Sequence, residues 1–142
     1  MKIEKLVKTI SLIPTSRFIY KYDPYEILIN YFKRHNKKDL YHYLDNNTYE
    51  YHDGIKKFNI YNDHKSSAYL MEFMPYSISP YYIYNYDTTL IVLEGMIKEN
   101  IYSDINTENM LHPSYCSKIT PKNHYILENQ RFNSITLHID IF

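Results

Sequence analysis

His124, His138, Thr136 and Asp140, with Tyr82, Tyr84 and Tyr86, are the residues of this chain best suited to chemistry. An imidazole titrating near neutrality can give or take a proton, and phenols beside it can hold or orient a small ligand. Thr136, His138 and Asp140 alternate with Leu137, Ile139 and Ile141, so a strand here puts the three polar side chains on one face. Two readings are open. If the apolar set meets the core, the polar face meets solvent; if the strand lines a pocket, the polar set forms its wall. His138 and Asp140 cannot pair tightly along one strand, because i and i+2 lie about 6.6–7 Å apart. Tyr82, Tyr84 and Tyr86 also share a face. They form either a half-exposed strand dressed in tyrosine or a pocket wall of hydroxyls. For His124 the competing reading is an imidazole that merely hydrogen-bonds inside a barrel.

Composition narrows the classes. The chain has 142 residues, enough for one domain whose core needs no disulfide or structural metal. Sixteen basic and sixteen acidic residues cancel, which argues against a nucleic-acid partner, since phosphate neutralisation calls for a basic face. No apolar run approaches the roughly 18 residues of a spanning helix, so no membrane role is expected. The opening segment, residues 1–13, is broken by Glu4, Lys5 and Lys8 and does not read as a secretory signal. One cysteine, Cys116, excludes an internal disulfide and fits a reducing, cytoplasmic setting. Nothing beside it marks an activated thiolate. Only two glycines are present, too few for a phosphate-binding glycine loop. Asn and Asp must therefore supply most turns, as at Asn46-Asn47, Asn62-Asp63 and Asn129.

The elements that would position these residues fall into two parts. Ile3, Leu6, Val7 and Ile10 predict a helix over 2–12, with Pro14 beyond its end. Asp23-Pro24-Tyr25-Glu26 reads as the start of a second helix, and Asp39–Leu44 as a short third. From Phe58 the pattern changes to strands, expected near 58–61, 67–74, 80–86, 88–94, 96–102, 115–119, 122–128 and 133–141. Residues 103–114 read as the longest loop. Gly95 stands between two apolar runs, where a tight turn or bulge needs positive φ. The expectation is a single domain over 1–142, mainly β: a helical segment over 1–50 and a jelly roll or β-barrel over 58–142.

Several motifs within that barrel resemble the cupins. Gly95 fits the closing glycine of their first motif. Pro121-Lys122-Asn123-His124 with Asn129 approximates the second, Pro-x-Gly-x-x-His followed by Asn. The likeness is to cysteine dioxygenase in particular. Residues 93–99, LEGMIKE, resemble that family's hairpin; 124–129, HYILEN, resemble its His-Arg-Val-Glu-Asn with one residue added; and 134–138, SITLH, resemble its Val-Ser-Leu-His. This resemblance implies a cupin-like fold and a small-molecule pocket. It also implies iron held by three histidines, of which His124 is the one present. The other two positions fall at Tyr82 and Tyr84, or at Tyr81 and Ile83, and Tyr84-Asn85-Tyr86 is the closest substitute for His-x-His. A neutral phenol is a poor ligand for ferrous iron. The family's substrate-carboxylate arginine is missing as well, since no arginine occurs between Arg34 and Arg131. Its Ser-x-His-x-Tyr array maps to Thr136, His138 and Asp140, and its crosslinking cysteine to Thr88. The resemblance favours the pocket reading of that strand.

The expected function is thus a degenerate thiol-dioxygenase-like cupin that binds, or transforms without metal, a small molecule. His124 points into the hollow ringed by phenols. His124 and His138 are its candidate catalytic residues, with Tyr82, Tyr84, Tyr86, Thr136 and Asp140 around the ligand. No cofactor is expected. The alternatives are an iron enzyme with His124 and atypical ligands, and a non-enzymatic module that meets a protein partner through its tyrosines. A homodimer is compatible with any of these.

Overall fold

This computed structural model describes Lys5 and residues 38–142, apart from 63–65, 84–85, 114–115 and 122. The helices expected over 2–12 and from Asp23 lie outside the described residues. The third is present as α1 (Lys38–Asn46), which buries Leu40 and Leu44, one turn apart on one face. Its end is closed by side-chain amides: Asn46 Nδ2 donates to His42 O at 2.7 Å and Asn47 Nδ2 to Tyr43 O at 2.8 Å. These satisfy carbonyls that the last helical turn leaves without partners.

Among the described residues ten strands follow: β1 (Glu50–His52), β2 (Ile55–Asn62), β3 (Ser66–Phe73), β4 (Tyr82–Ile83), β5 (Asp87–Glu94), β6 (Ile97–Tyr102), β7 (Thr107–Leu111), β8 (Cys116–Ile119), β9 (His124–Asn129) and β10 (Ser134–Ile141). They build two antiparallel sheets, β1-β2-β3-β10-β5-β8 and β4-β9-β6-β7. Two of these strands are additions to the sequence reading. β1 joins β2 through Asp53 and Gly54, both left-handed at φ 47° and 83°, with His52 paired to Ile55. Positive φ at both central positions is the hairpin geometry that Asp-Gly favours, so the sheet starts at Glu50 rather than at 58. β7 sits where the long loop was expected. Four of its five residues are exposed, so no alternation betrays it.

Gly95 behaves as expected, at φ 83° between β5 and β6. A Cβ there would collide with Ser134 Oγ and lie 2.7 Å from Asn133 O. Asn129 differs from expectation. It is a buried strand end rather than a turn residue, and its Nδ2 donates to Phe73 O, Met74 O and Phe132 O at 3.1, 2.8 and 2.8 Å.

The central strand β10 is buried on both faces, which resolves the ambiguity of its pattern. Ile135, Leu137 and Ile139 pack with Phe58, Leu70 and Ile91 under Leu40 and Leu44 of α1. The opposite face meets the other sheet. Tyr69, Met71, Leu90 and Val92, the register partners of His138 and Thr136, share one core with Ile97, Tyr125 and Leu127. Thr136, His138 and Asp140 therefore project between the sheets, and their exposures of 0, 0 and 4% place them in the interior.

Candidate functional site

Each polar side chain of β10 is met by its neighbours on β3 and β5. Asp140 pairs in register with Ser67 and Thr88, which donate to its two carboxylate oxygens at 3.2 and 2.8 Å. Burial raises its pKa, against the lowering effect of those hydroxyls and of Lys57. Tyr86 lies beside it in the bend before β5, edge-on to Phe142 at 4.9 Å; burial first, then the Asp140 charge, raises the phenol.

One step along β10, His138 stacks on Tyr69 with ring centroids 4.7 Å apart and planes within 11°. Its Nε2 is 2.8 Å from Thr136 Oγ1, while the buried Nδ1 meets no hydrogen-bonding partner among the described residues. Complete burial, reinforced by the Lys57 charge, lowers the imidazole pKa to about 3. This histidine is neutral throughout the physiological range. It can bind or orient, but a proton carrier at neutral pH needs a pKa near 7.

Lys57 links this interior to the mouth of the barrel. Its Nζ rests 4.3 Å from the Tyr69 ring centroid, on the ring that stacks on His138. Here a cleft of about 170 Å³ opens, lined by Glu50, His52, Ile55, Lys57, Met71 and Pro80. Register places these groups side by side. Glu50 lies opposite Lys57, Lys57 opposite Met71, and His52 opposite Ile55. The cleft thus combines apolar walls with one cation and one carboxylate.

Across the interior, Glu99 is 1% exposed on β6. Ser117 donates to its Oε1 at 3.0 Å. Burial raises this carboxyl above its usual range, more than Ser117 and Asn109 lower it. Sequence reasoning passed over Glu99, Glu50, Lys57, Tyr69 and Ser67. Glu99 did carry a signal, since Ile97 and Ile101 flank it at strand spacing and would take it to the core face.

His124 is placed differently from expectation. Along β9, Tyr125, Leu127 and Asn129 are buried, while His124, Ile126 and Glu128 occupy the other, half-buried face. The imidazole has its phenol, but on the outside: the Tyr81 hydroxyl meets Nδ1, the rings are edge-on at 5.0 Å, and Tyr102 lies 6.0 Å from Tyr81. The added residue between His124 and Asn129 explains this. A one-residue slip reverses the face of a strand, and Tyr125 takes the inward position four before the Asn. Tyr82 pairs its backbone with Tyr125, and Tyr84 lies outside the described residues.

An iron centre of three imidazoles does not fit this arrangement. Among the described residues no three His, Cys, Asp or Glu side chains converge on one point. Tyr125 fills the inward position of β9, and Thr136 occupies His138 Nε2.

No protein-family model matches the sequence, and no curated protein matches it. Solved structures do resemble the fold. The CENP-C domain of Drosophila melanogaster bound to CAL1 superposes with a TM-score of 0.62 at 17% identity, covering 68% of this chain and 81% of that one. An RmlC-like cupin from Shewanella frigidimarina gives 0.61 at 13%, covering 68% and 85%. KdgF from Halomonas sp. gives 0.61 at 11%, covering 68% and 89%. At such identities the likeness establishes the fold, which is cupin-like, and leaves the closer kinship with cysteine dioxygenase without support.

Proposed function

We propose that this chain is a cupin-fold binding protein that takes a small molecule, without metal, in the cleft at the mouth of its barrel. The observation that carries this reading is the cleft itself. Its wall residues Lys57 and Met71 adjoin the buried Tyr69, His138 and Thr136, so a ligand there meets both solvent and a preorganised interior. Small-molecule sites are typically concave, mainly apolar and supplied with a few fixed polar groups. A volume of about 170 Å³ suits a ligand below drug size. Tyr69 and Thr136 back the lining residues Lys57 and Met71, and His138 stacks on Tyr69 behind them. His124, on the outer face, stands apart from it.

Fragment screening of chelator-treated protein by amide chemical shifts tests the reading. Binders should perturb Ile55, Lys57 and Met71, and His124→Ala should leave them bound. Binding that appears only on adding ferrous iron, or oxygen uptake with cysteine at one iron per chain, would sink it.

A second reading is favoured by exposed apolar residues on the chain leading into β4. Tyr76, Ile78 and Tyr81 are 69, 54 and 53% exposed along that stretch, and one structural relative is a complex with another protein. Such a module would recognise a partner through these rings, and Tyr76→Ser with Tyr81→Ser would abolish capture without touching the cleft.

A further inference from the structure

The ligand class follows from a charge pair that stays open, an inference that rests on the mouth cleft being a binding site. Glu50 and Lys57 face one another in register on β1 and β2, and both line the cleft. Opposed residues of neighbouring strands have Cβ atoms only about 4.5–5.5 Å apart, so Glu and Lys there ordinarily reach each other. They do not. Among the described residues no ion pair closes on either side chain, although Lys56, on the other face of β2, does reach Glu72 at 3.7 Å. The Lys57 ammonium is instead drawn inward over Tyr69, 4.3 Å from the ring centroid. Glu50 remains exposed at the rim. The space between the two charges opens onto Ile55, Met71 and Pro80.

We infer that the cleft selects a small zwitterion, a molecule with an ammonium and a carboxylate on one carbon and an aliphatic tail. Glu50 receives the ammonium at the solvent side and Lys57 the carboxylate at the inner side. The tail lies against Ile55, Met71 and Pro80. Each charge of the ligand completes a charge of the protein, so neither is taken from water unpaired. A ligand with the carboxylate alone leaves Glu50 facing apolar carbon or its own charge, and one with the ammonium alone does the same to Lys57. Exposure sets the weights. The exposed Glu50 pair is screened and contributes modestly, whereas the half-buried Lys57 pair contributes more.

Three probes with the same branched tail test this by calorimetry on chelator-treated protein: leucine, 4-methylpentanoate and 3-methylbutylamine. Leucine should bind tightest, by about threefold over the carboxylate and about tenfold over the amine. Lys57→Met should cost leucine about tenfold and remove its advantage over the amine. Glu50→Gln, at an exposed position that leaves the fold intact, should cost about threefold and remove its advantage over the carboxylate. If the carboxylate binds as tightly as leucine, or Glu50→Gln changes nothing, the cleft is a site but not one for zwitterions. If none of the three probes binds and no fragment perturbs Ile55, Lys57 or Met71, the cleft is not a site at all.

Discussion

His138 illustrates how burial decides what a functional group can do. An imidazole in water titrates near 6.5, but this one, enclosed between Tyr69 and Thr136, falls to about 3. The unfolded chain therefore takes up the proton first as the pH drops. His138 leaves stability undiminished above about pH 6.5 and weakens the fold progressively between there and about pH 3, by about 1.4 kcal/mol per pH unit. Asp140 and Glu99 act in the opposite sense. Their carboxyls are raised by burial, so the folded state binds their protons more readily than the unfolded chain does, and acid relieves the cost of burying their charge. His138→Gln isolates the histidine. Between pH 6.5 and pH 5, urea unfolding should move in favour of the variant relative to the parent chain by about 2 kcal/mol. A parent-to-variant difference that stays constant over this range would mean that His138 is charged in the folded protein.

At the scale of elements, the turn between β5 and β6 joins the two sheets. Met96 N–H donates to Ser134 Oγ at 3.0 Å, and Ser134 Oγ in turn donates to Asn129 Oδ1 at 2.6 Å. Gly95 makes this approach possible, because a Cβ would occupy the space of Ser134 itself. Left-handed backbone and collision add together in Gly95→Ala, for which a loss of at least about 3 kcal/mol is expected in chemical denaturation. A loss below about 1 kcal/mol would show that β10 moves aside easily. The same scale explains β9. Its alternation is read correctly by periodicity, but the phase is fixed by Asn129, whose amide spans three backbone carbonyls. Once that residue is inward, His124 is outward.

The molecule as a whole buries β10 between two unlike layers. α1 covers the apolar side, and the second sheet covers the polar side. These layers are separable by mutation. Leu44→Ala, on the outer layer, should cost about 2–5 kcal/mol of stability by leaving a cavity. Because α1 lies across the sheet from the cleft, ligand affinity at Lys57 should be unchanged in the folded variant. A parallel loss of affinity would show that the helix shapes the mouth.

How much of this was legible depended on whether the signal was local. The alternation of Thr136, His138 and Asp140 with an apolar set is visible in the residues, as are the turn at Gly95 and the mainly β class. β7 was hidden because its exposed residues carry no pattern, and β1 because it is only three residues long. Its one local mark is the Asp53-Gly54 turn that follows it. The face to which each strand side belongs is another matter. β10 could have met solvent on its polar side; α1 and the second sheet bury both sides instead. Sequence periodicity alone determined which residues stand together. Whether they stand inside was settled by packing, because burial is set by what lies across a face, and one residue of offset in β9 sent His124 out and Tyr125 in.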